Sequence, residues 1–227
     1  MFADVAVKWF IEVNKISEKS THPMMIWDIM PHAGASQIHP HVQGFLGKGK
    51  YLGKMGKLNN DLLLYKKTTG REYFEDYINL HISLGLGTRF RTTSIIVPLD
   101  SQKDHEFVII GKTNINDWIK ALYLVYRTYV EELKVYCFSS GMAWPTFILS
   151  KHLQKLNSTR QKMSSSSANF GNLMYARIGG RGNCQSVESD VSSLELYVIN
   201  HLSSDPFITF QALNTTMIKY GNSILPE

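Results

Sequence analysis

The chain has few of the residues and segments that define several common protein classes. Its 227 residues include only 2 cysteines, Cys137 and Cys184, without a CxxC spacing, so we expect no disulfide framework and a reducing compartment. No apolar run reaches the roughly 18 residues of a membrane span. Residues 1–15 lack the apolar region and cleavage site of a signal peptide. We therefore expect a cytoplasmic protein without a membrane partner.

Charged residues are also sparse, at 19%, whereas hydrophobic residues make up 44% of the chain. This balance allows a folded core. The net charge of +5 is mild and scattered, so it suits an anionic small molecule and does not indicate a nucleic-acid partner. The GxxxxGK[ST] phosphate loop is absent. We interpret the glycine- and lysine-rich segment 44–57 as a flexible basic loop in solvent. The alternative is that this loop faces the phosphates of a substrate.

The most informative segment is His39-Pro40-His41-Val42-Gln43. Alternate residues of a strand share one face, so His39, His41 and Gln43 would point the same way. Pro40 favours this conformation, because the residue before a proline is pushed toward extended geometry. We predict a strand with two imidazoles and a carboxamide on one face.

Small residues, Gly34, Ala35 and Ser36, precede this predicted strand. They allow backbone N–H groups to approach an anion closely, and glycine permits unusual dihedral angles. Together the two segments predict a phosphate pocket in which an imidazole is the nucleophile and amide donors stabilise the phosphate charge. The residues alone leave two alternatives: an HxH half-site for zinc, or a pair of surface histidines without chemistry.

The string GASQIHPHVQ, from Gly34 to Gln43, resembles the active-site loop of galactose-1-phosphate uridylyltransferases. These enzymes belong to the histidine-triad-like superfamily, with the diadenosine tetraphosphate and sugar-nucleotide phosphorylases. The resemblance implies that His41 takes a nucleotidyl group from the α-phosphorus and that Gln43 holds a nonbridging phosphate oxygen. It places His39 at a histidine that binds or orients zinc in some members. Gly34, Ala35 and Ser36 would lie in the phosphate-contacting loop.

Hydrophobic periodicity predicts helices over residues 2–16 and 70–84, a helix capped by Asn116, and a last helix opened by Asp205 and Pro206. It predicts strands near 24–30, 93–98, 106–110, 135–139 and 173–178. The order after residue 90 resembles the second half of the uridylyltransferase fold, which has two histidine-triad-like repeats. The implied fold class is α+β, an antiparallel sheet with flanking helices.

Side-chain positions on these elements are also expectations. The first helix should bury one apolar face, made of Phe2, Val5, Ala6, Trp9, Phe10 and Val13. His81 is interpreted as a core histidine. Arg177 and Arg181 are interpreted as exposed residues beside a glycine turn, with a phosphate contact as the alternative. Residues 157–168 are interpreted as a mobile loop.

The resemblance suggests a first-repeat remnant at residues 1–90 and a second repeat at 91–227, together one globular unit. Two departures concern metals: residues 173–177 contain no histidine, and Ala143 and Trp144 stand where the family has a metal-binding histidine.

Few residues precede the motif. A missing first half would expose an edge or apolar face at Met24–Met30 and at Phe2, Trp9 and Phe10, so we expect a homodimer or a complex.

Three hypotheses remain open. The first is a nucleotidyltransferase or phosphorylase acting on a nucleotide sugar or a dinucleoside polyphosphate. The second is a noncatalytic nucleotide-binding or scaffold protein derived from the same fold. The third is a structural zinc site that uses His39, His41 and His32. No metal ligand is assigned, and zinc is the only cofactor considered.

Overall fold

The structure is a computed structural model that describes residues 2–35, 37, 39–112, 114–146, 148–149, 173–182 and 204–222. Its elements, in chain order, are α1 (Phe2–Ile16), β1 (Ser20–Ile29), a 3₁₀ turn (Pro31–Ala33), β2 (Gln43–Lys48), α2 (Gly53–Thr69), α3 (Tyr73–Ser83), β3 (Gly87–Phe90), β4 (Thr93–Ile96), β5 (Phe107–Gly111), α4 (Ile115–Arg127) with a π turn (Thr128–Leu133), β6 (Phe138–Ala143), β7 (Met174–Gly180) and α5 (Pro206–Tyr220).

The strands in this part of the chain form one 7-stranded sheet in the order β2-β1-β6-β7-β5-β4-β3. Every neighbouring pair is antiparallel. The predicted α+β class with an antiparallel sheet is therefore confirmed. The division at residue 90 stays a prediction; that position precedes the turn between β3 and β4, and strands from both parts share the sheet.

Strand β1 lies inside the sheet, between β2 and β6. The expectation that it forms an exposed edge is wrong, because both of its backbone edges are paired. Its side chains alternate between two hydrophobic cores: Met25 belongs to one core and Met24 to the other. Asp28 shares the face of Met24, since two and four residues along a strand return to the same side. This alternation places the carboxylate of Asp28 on the face of the sheet that α2 and α3 cover.

Two helical layers cover the sheet. Helices α1, α4 and α5 pack on one face, around a core that contains Trp118, Tyr129 and Trp144. Helices α2 and α3 pack on the other face, with Phe74 and Ile78 in a smaller core. The smaller core leaves part of this second face uncovered, and the candidate site lies there.

The buried face of α1 differs from the predicted one. Ala3, Ala6 and Phe10 are buried, whereas Val5 is 63% exposed and Trp9 is 43% exposed. The alanines allow the helix to approach the sheet closely. Trp9 lies beside it, where its ring would be 2.9 Å from a Cβ atom at Gly44. The homodimer stays a prediction.

Several element boundaries also differ from the sequence prediction. Asn114, not Asn116, caps α4, and its side chain accepts hydrogen bonds from the N–H groups of Asn116 and Asp117. Strand β6 begins at Phe138, because the preceding π turn ends only at Lys134, which has a φ of 57°. The short strand β3 was not predicted, and residues 157–168 lie outside the described part of the chain.

Other predictions are confirmed. Helix α3 lies within the predicted segment 70–84, and His81 is buried, with its Nδ1 atom 2.8 Å from the carbonyl oxygen of Tyr77. Helix α5 begins after Asp205, whose carboxylate accepts a hydrogen bond from the N–H of Phe207. The capping residue Asp205 and the proline after it were sufficient to predict the start of α5.

Cys137 is buried and takes part in a disulfide, a bond that the expectation of no disulfide framework did not anticipate. Disulfides are rare in reducing compartments. This observation counts against the cytoplasmic location, which stays a prediction. None of the described helices is both long and apolar enough to cross a membrane.

Candidate functional site

Only the last residue of the motif 39–43 belongs to a strand. Residues 39–42 have no regular structure, and β2 begins at Gln43, which pairs with Ile26 of β1. Pro40 cannot donate to a strand ladder, so pairing ends close to it. The predicted strand face shared by His39, His41 and Gln43 is therefore not formed.

Gln43 still lies on the uncovered face of the sheet. Directly paired residues of antiparallel strands have their side chains on the same face. Its partner Ile26 lines the cavity described below. The preceding residue, Val42, packs against the opposite core. The carboxamide of Gln43 is exposed at this edge of the sheet.

The backbone of the motif orients the His41 ring. Its Nδ1 atom lies 3.0 Å from the carbonyl oxygen of His39. A carbonyl oxygen accepts hydrogen bonds only, so this contact requires the proton on Nδ1. The Nε2 atom then carries the lone pair, which is the form of imidazole that acts as a nucleophile. His41 is half-buried and His39 is exposed.

The small-residue loop forms a tight turn before the motif. Met30 and Gly34 have positive φ angles of 72° and 98° around the 3₁₀ turn. The N–H of Gly34 donates to the oxygen of Pro31 at 2.9 Å, and the N–H of Ala35 donates to that of Met30 at 3.3 Å. Both amides are thus used inside the turn, and a role for them as phosphate donors stays a prediction. Ser36 lies outside the described residues.

Side-chain contacts hold this turn against the sheet. The hydroxyl of Ser139 on β6 donates to the carbonyl oxygen of Ala33 at 3.1 Å. Arg181 in turn donates from Nε to that hydroxyl at 3.2 Å. Asp28 is paired with Ser139 across the strands, and a Cβ atom at Gly34 would lie 3.9 Å from its carboxyl carbon. The turn therefore meets the sheet where Asp28, Ser139 and Arg181 converge.

These three residues line one end of a cavity of about 600 Å³ between the sheet and helices α2 and α3. The cavity is open above Gly141, where a Cβ atom would have no neighbour within 4 Å. Its basic lining residues are Lys54, Lys57, Lys103, Arg177 and Arg181. Its acidic lining residues are Asp28, Asp61, Asp100 and Glu106. Such a lining fits a ligand that carries both phosphate and hydroxyl groups.

Two sequence interpretations are wrong at this cavity. Residues from Gly53 onward form helix α2 rather than a flexible loop, and this helix places Lys54 and Lys57 on the cavity wall. Arg177 lies inside β7 rather than beside a glycine turn, because the strand continues to Gly180. Its side chain is only 25% exposed.

Arg177 is held by the carboxylate of Glu106, whose side chain is 2% exposed. The guanidinium donates from Nε to Oε1 and, at 2.9 Å, from Nη2 to Oε2. Burial is the largest single influence on Arg177 and opposes its charge, but the hydrogen bond and the charge of Glu106, together with nearby Tyr175 and Asp100, outweigh it and raise the pKa of the guanidinium. Partial desolvation, followed by repulsion from Arg177, lowers the pKa of Lys54. The cavity therefore holds neighbouring cations that an anionic ligand would stabilise.

Aromatic side chains form one wall of the cavity. The rings of Tyr73 and Tyr77 on α3 are stacked with centroids 5.5 Å apart. The hydroxyl of Tyr77 donates to Asp100 at 3.3 Å. Burial raises the pKa of both tyrosines, so both hydroxyls remain protonated donors.

The residues of the motif do not fit a zinc site. The described residues contain no group of 3 or more His, Cys, Asp or Glu side chains that could hold a metal. His32, His39 and His41 are all in that part of the chain. Ala143 and Trp144, which stand where the sequence resemblance predicts a metal-binding histidine, are buried apolar residues. Among the described residues, the three histidines of the zinc hypothesis therefore form no such group.

The residues that the sequence interpretation missed are Asp28, Ser139 and Glu106, whereas Lys54 lies in the segment for which a phosphate contact was the alternative. Asp28 could have been found, because a carboxylate in an apolar strand must face a cavity, a partner or solvent. Glu106 could not, because its arginine partner is 71 residues away in sequence.

The sequence matches no protein-family model and no curated protein. Among solved structures, a uridylyltransferase superposes with a TM-score of 0.67 at 12% identity, covering 94% of this chain and 67% of that one. An ADP-glucose phosphorylase from Arabidopsis thaliana, with bound ADP-glucose, superposes with a TM-score of 0.58 at 13% identity, covering 92% of this chain and 64% of that one. A galt-like protein from the same plant superposes with a TM-score of 0.60 at 14% identity, covering 92% and 67%. The chain thus spans about two thirds of these proteins, and it has the uridylyltransferase-like fold.

Proposed function

We propose that this protein is a nucleotidyltransferase or phosphorylase that forms a nucleotidyl-histidine intermediate. Its substrate would be a nucleotide sugar or a dinucleoside polyphosphate. The observation that supports this proposal is the 3.0 Å contact between Nδ1 of His41 and the carbonyl oxygen of His39, which in the neutral ring leaves a lone pair on Nε2. The fold supports it, since two structures that share it are a uridylyltransferase and an ADP-glucose phosphorylase.

The proposed reaction has two in-line steps. The Nε2 lone pair of His41 attacks the α-phosphorus, a P–N bond forms, and the bond to the bridging oxygen breaks, releasing a sugar 1-phosphate or a nucleotide. A phosphate oxygen of the acceptor then attacks the same phosphorus and returns the electron pair to Nε2. The amide N–H of Gln43 donates to a nonbridging oxygen while charge develops there.

The neighbouring cavity supports a substrate with a polar group beyond the reacting phosphates. Asp28 and Arg181 lie at its end near the turn, and the stacked tyrosines form its far wall. The basic lining residues offset the charge of a phosphate-containing ligand.

A noncatalytic nucleotide-binding or scaffold protein is the second candidate. It is favoured by the turn amides of Gly34 and Ala35, which donate to protein oxygens rather than toward a ligand. Such a protein would bind a nucleotide sugar without breaking it.

Incubation of the purified protein with UDP-glucose or ADP-glucose distinguishes these candidates. Each donor is tested with galactose 1-phosphate and, separately, with inorganic phosphate. A new nucleotide sugar indicates a transferase, and a nucleoside diphosphate formed only with inorganic phosphate indicates a phosphorylase. Binding of either donor without any product supports the noncatalytic candidate and contradicts the enzyme proposal.

A further inference from the structure

One buried carboxylate organises the centre of the cavity. Glu106 accepts hydrogen bonds from the guanidinium of Arg177, from the N–H of Gln102 at 2.6 Å and from the N–H of Lys103 at 3.1 Å. A carboxylate with this many charge-assisted and backbone donors is saturated. Glu106 therefore has little capacity to bind a ligand itself, and its effect is to hold its neighbours.

The first neighbour is Arg177. Its Nε and Nη2 atoms are used by Glu106, whereas its Nη1 atom makes no hydrogen bond to the described residues. The guanidinium is planar, so the pair with Glu106 sets the direction in which Nη1 points. Arg177 lines the cavity and keeps 25% of its side chain exposed. Its remaining donors are thus held in a fixed orientation at the cavity surface.

The second neighbour is Lys54 of α2. Its ammonium group donates to the side-chain oxygen of Gln102, the residue whose N–H is held by Glu106. An ammonium group has three donors, and this contact uses one of them. The same carboxylate therefore positions two cations, one directly and one through Gln102. Both line the same cavity.

This pair of cations lies far from the reacting phosphorus. Across the sheet, Gln43 pairs with Ile26, Ile26 with Gly141, and Gly141 with Arg177. Three strand spacings separate Gln43 from Arg177, a distance of about 14 Å. The α- and β-phosphates of a nucleotide sugar are too close together to reach both points. A ligand group at Arg177 is therefore neither of these two phosphates.

We propose that Arg177 and Lys54 form an anion subsite for the end of the sugar that is distal to its anomeric phosphate. The ligand class is an acidic sugar phosphate, with a carboxylate or a second phosphate at that end. This inference rests on the proposed function for the identity of the ligand. The bidentate geometry available to an arginine and the adjoining ammonium suit either oxyanion. The stacked rings of Tyr73 and Tyr77 supply an apolar wall for the sugar.

The test is equilibrium binding to the whole chain, measured by calorimetry with three ligands. They are glucose 1-phosphate, glucuronic acid 1-phosphate and glucose 1,6-bisphosphate. We expect at least one of the two ligands with a distal anion to bind about tenfold or more tightly than glucose 1-phosphate, as charge-assisted hydrogen bonds allow. The tighter of the two identifies the anion as carboxylate or phosphate. Equal affinities for all three, or no binding by any, overturn the proposal.

The Lys54→Met variant tests the residues, because it leaves the buried Glu106–Arg177 pair intact. It should reduce the preference for the distal anion, taken as the ratio of its affinity to that of glucose 1-phosphate in the same variant, to about threefold or less. Arg177→Met should remove the preference too, but it leaves Glu106 unpaired and can unfold the chain. The matched control is Lys67→Met, an exposed lysine of the same helix that does not line the cavity. A preference that survives Lys54→Met contradicts the subsite.

All three ligands are also measured with the His41→Gly variant. That variant cannot form the proposed nucleotidyl intermediate. The substituted residue is close to Gln43 in sequence, and Gln43 is three strand spacings from Arg177, so the substitution leaves the proposed subsite unchanged. A retained preference together with no turnover in the wild-type chain would show that the proposed function fails while the subsite stands. If the wild-type chain turns over a nucleotide sugar but binds all three ligands equally, the subsite fails while the proposed function stands.

Discussion

The Nδ1 atom of His41 lies 3.0 Å from the main-chain oxygen of His39, so the backbone of His39, rather than its side chain, orients the proposed nucleophile. The His39 ring itself is exposed. Two histidines that look equivalent in the sequence therefore have different roles in the structure.

The His39→Asn variant follows directly from this contact. Asparagine keeps the carbonyl oxygen, so nucleotidyl transfer should stay within about tenfold of the wild-type rate, well short of the loss expected when a nucleophile is removed. The measurement is the single-turnover rate with UDP-glucose or ADP-glucose. An activity as low as that of His41→Gly would show that the His39 ring is required and would contradict the assignment.

The Gln43→Ala variant should slow nucleotidylation by about 100-fold, the scale seen when one donor to a developing oxyanion is lost. Rapid-quench measurement of the first step isolates this effect from binding. Lys48→Ala is the control, because Lys48 is an exposed residue of the same strand. A similar rate in both variants would remove Gln43 from the mechanism.

The Glu106→Ala variant should lower the free energy of unfolding by about 3–5 kcal/mol, because it leaves a partly buried guanidinium without its partner. Urea denaturation monitored by tryptophan fluorescence measures this change. In the control Glu12→Ala, the ion pair with Lys15 is exposed, and the expected loss is below about 1 kcal/mol. Equal losses would mean that the buried pair is not organised as the structure has it.

His22 should make the folded state sensitive to mild acid. Burial lowers the pKa of its half-buried ring, which packs edge-on against Tyr51 at 4.7 Å. An unfolded histidine titrates near pH 6.5. Below that pH the unfolded chain binds the proton more readily, so stability is present above about pH 6.5 and is lost as the pH falls toward the lowered pKa. Stability curves of His22→Gln should be flatter over this window than those of the wild type, and curves with the same slope would contradict the prediction.

Local sequence signals predicted the parts of the fold that depend on local physics. The cap at Asp205 and the core position of His81 are examples, because a cap and a helical repeat are short-range patterns. The start of β2 was not predictable in the same way, since the ladder with β1 ends at Gln43 for reasons that involve another strand.

In the candidate site, too, the residues of a local motif were predictable from the sequence, and the residues from distant segments were not. The sequence motif named His41 and Gln43, and the hydrogen bond of His41 agrees with the proposed nucleophile. The cavity beside them is built from Lys54, Glu106 and Arg177, which come from distant segments. Arg177 was considered for phosphate binding, but its pair with Glu106 arises only when β5 and β7 are neighbours.

Detection of a covalent nucleotidyl group on His41 is the most direct test of the proposed mechanism. The protein is mixed with UDP-glucose or ADP-glucose, and the product is analysed by intact-mass and peptide mass spectrometry at neutral pH. We expect one acid-labile nucleotidyl group per chain, located on His41 and absent from a folded His41→Gly variant. No adduct with any nucleotide sugar or dinucleoside polyphosphate, or an adduct that persists in His41→Gly, would contradict the account.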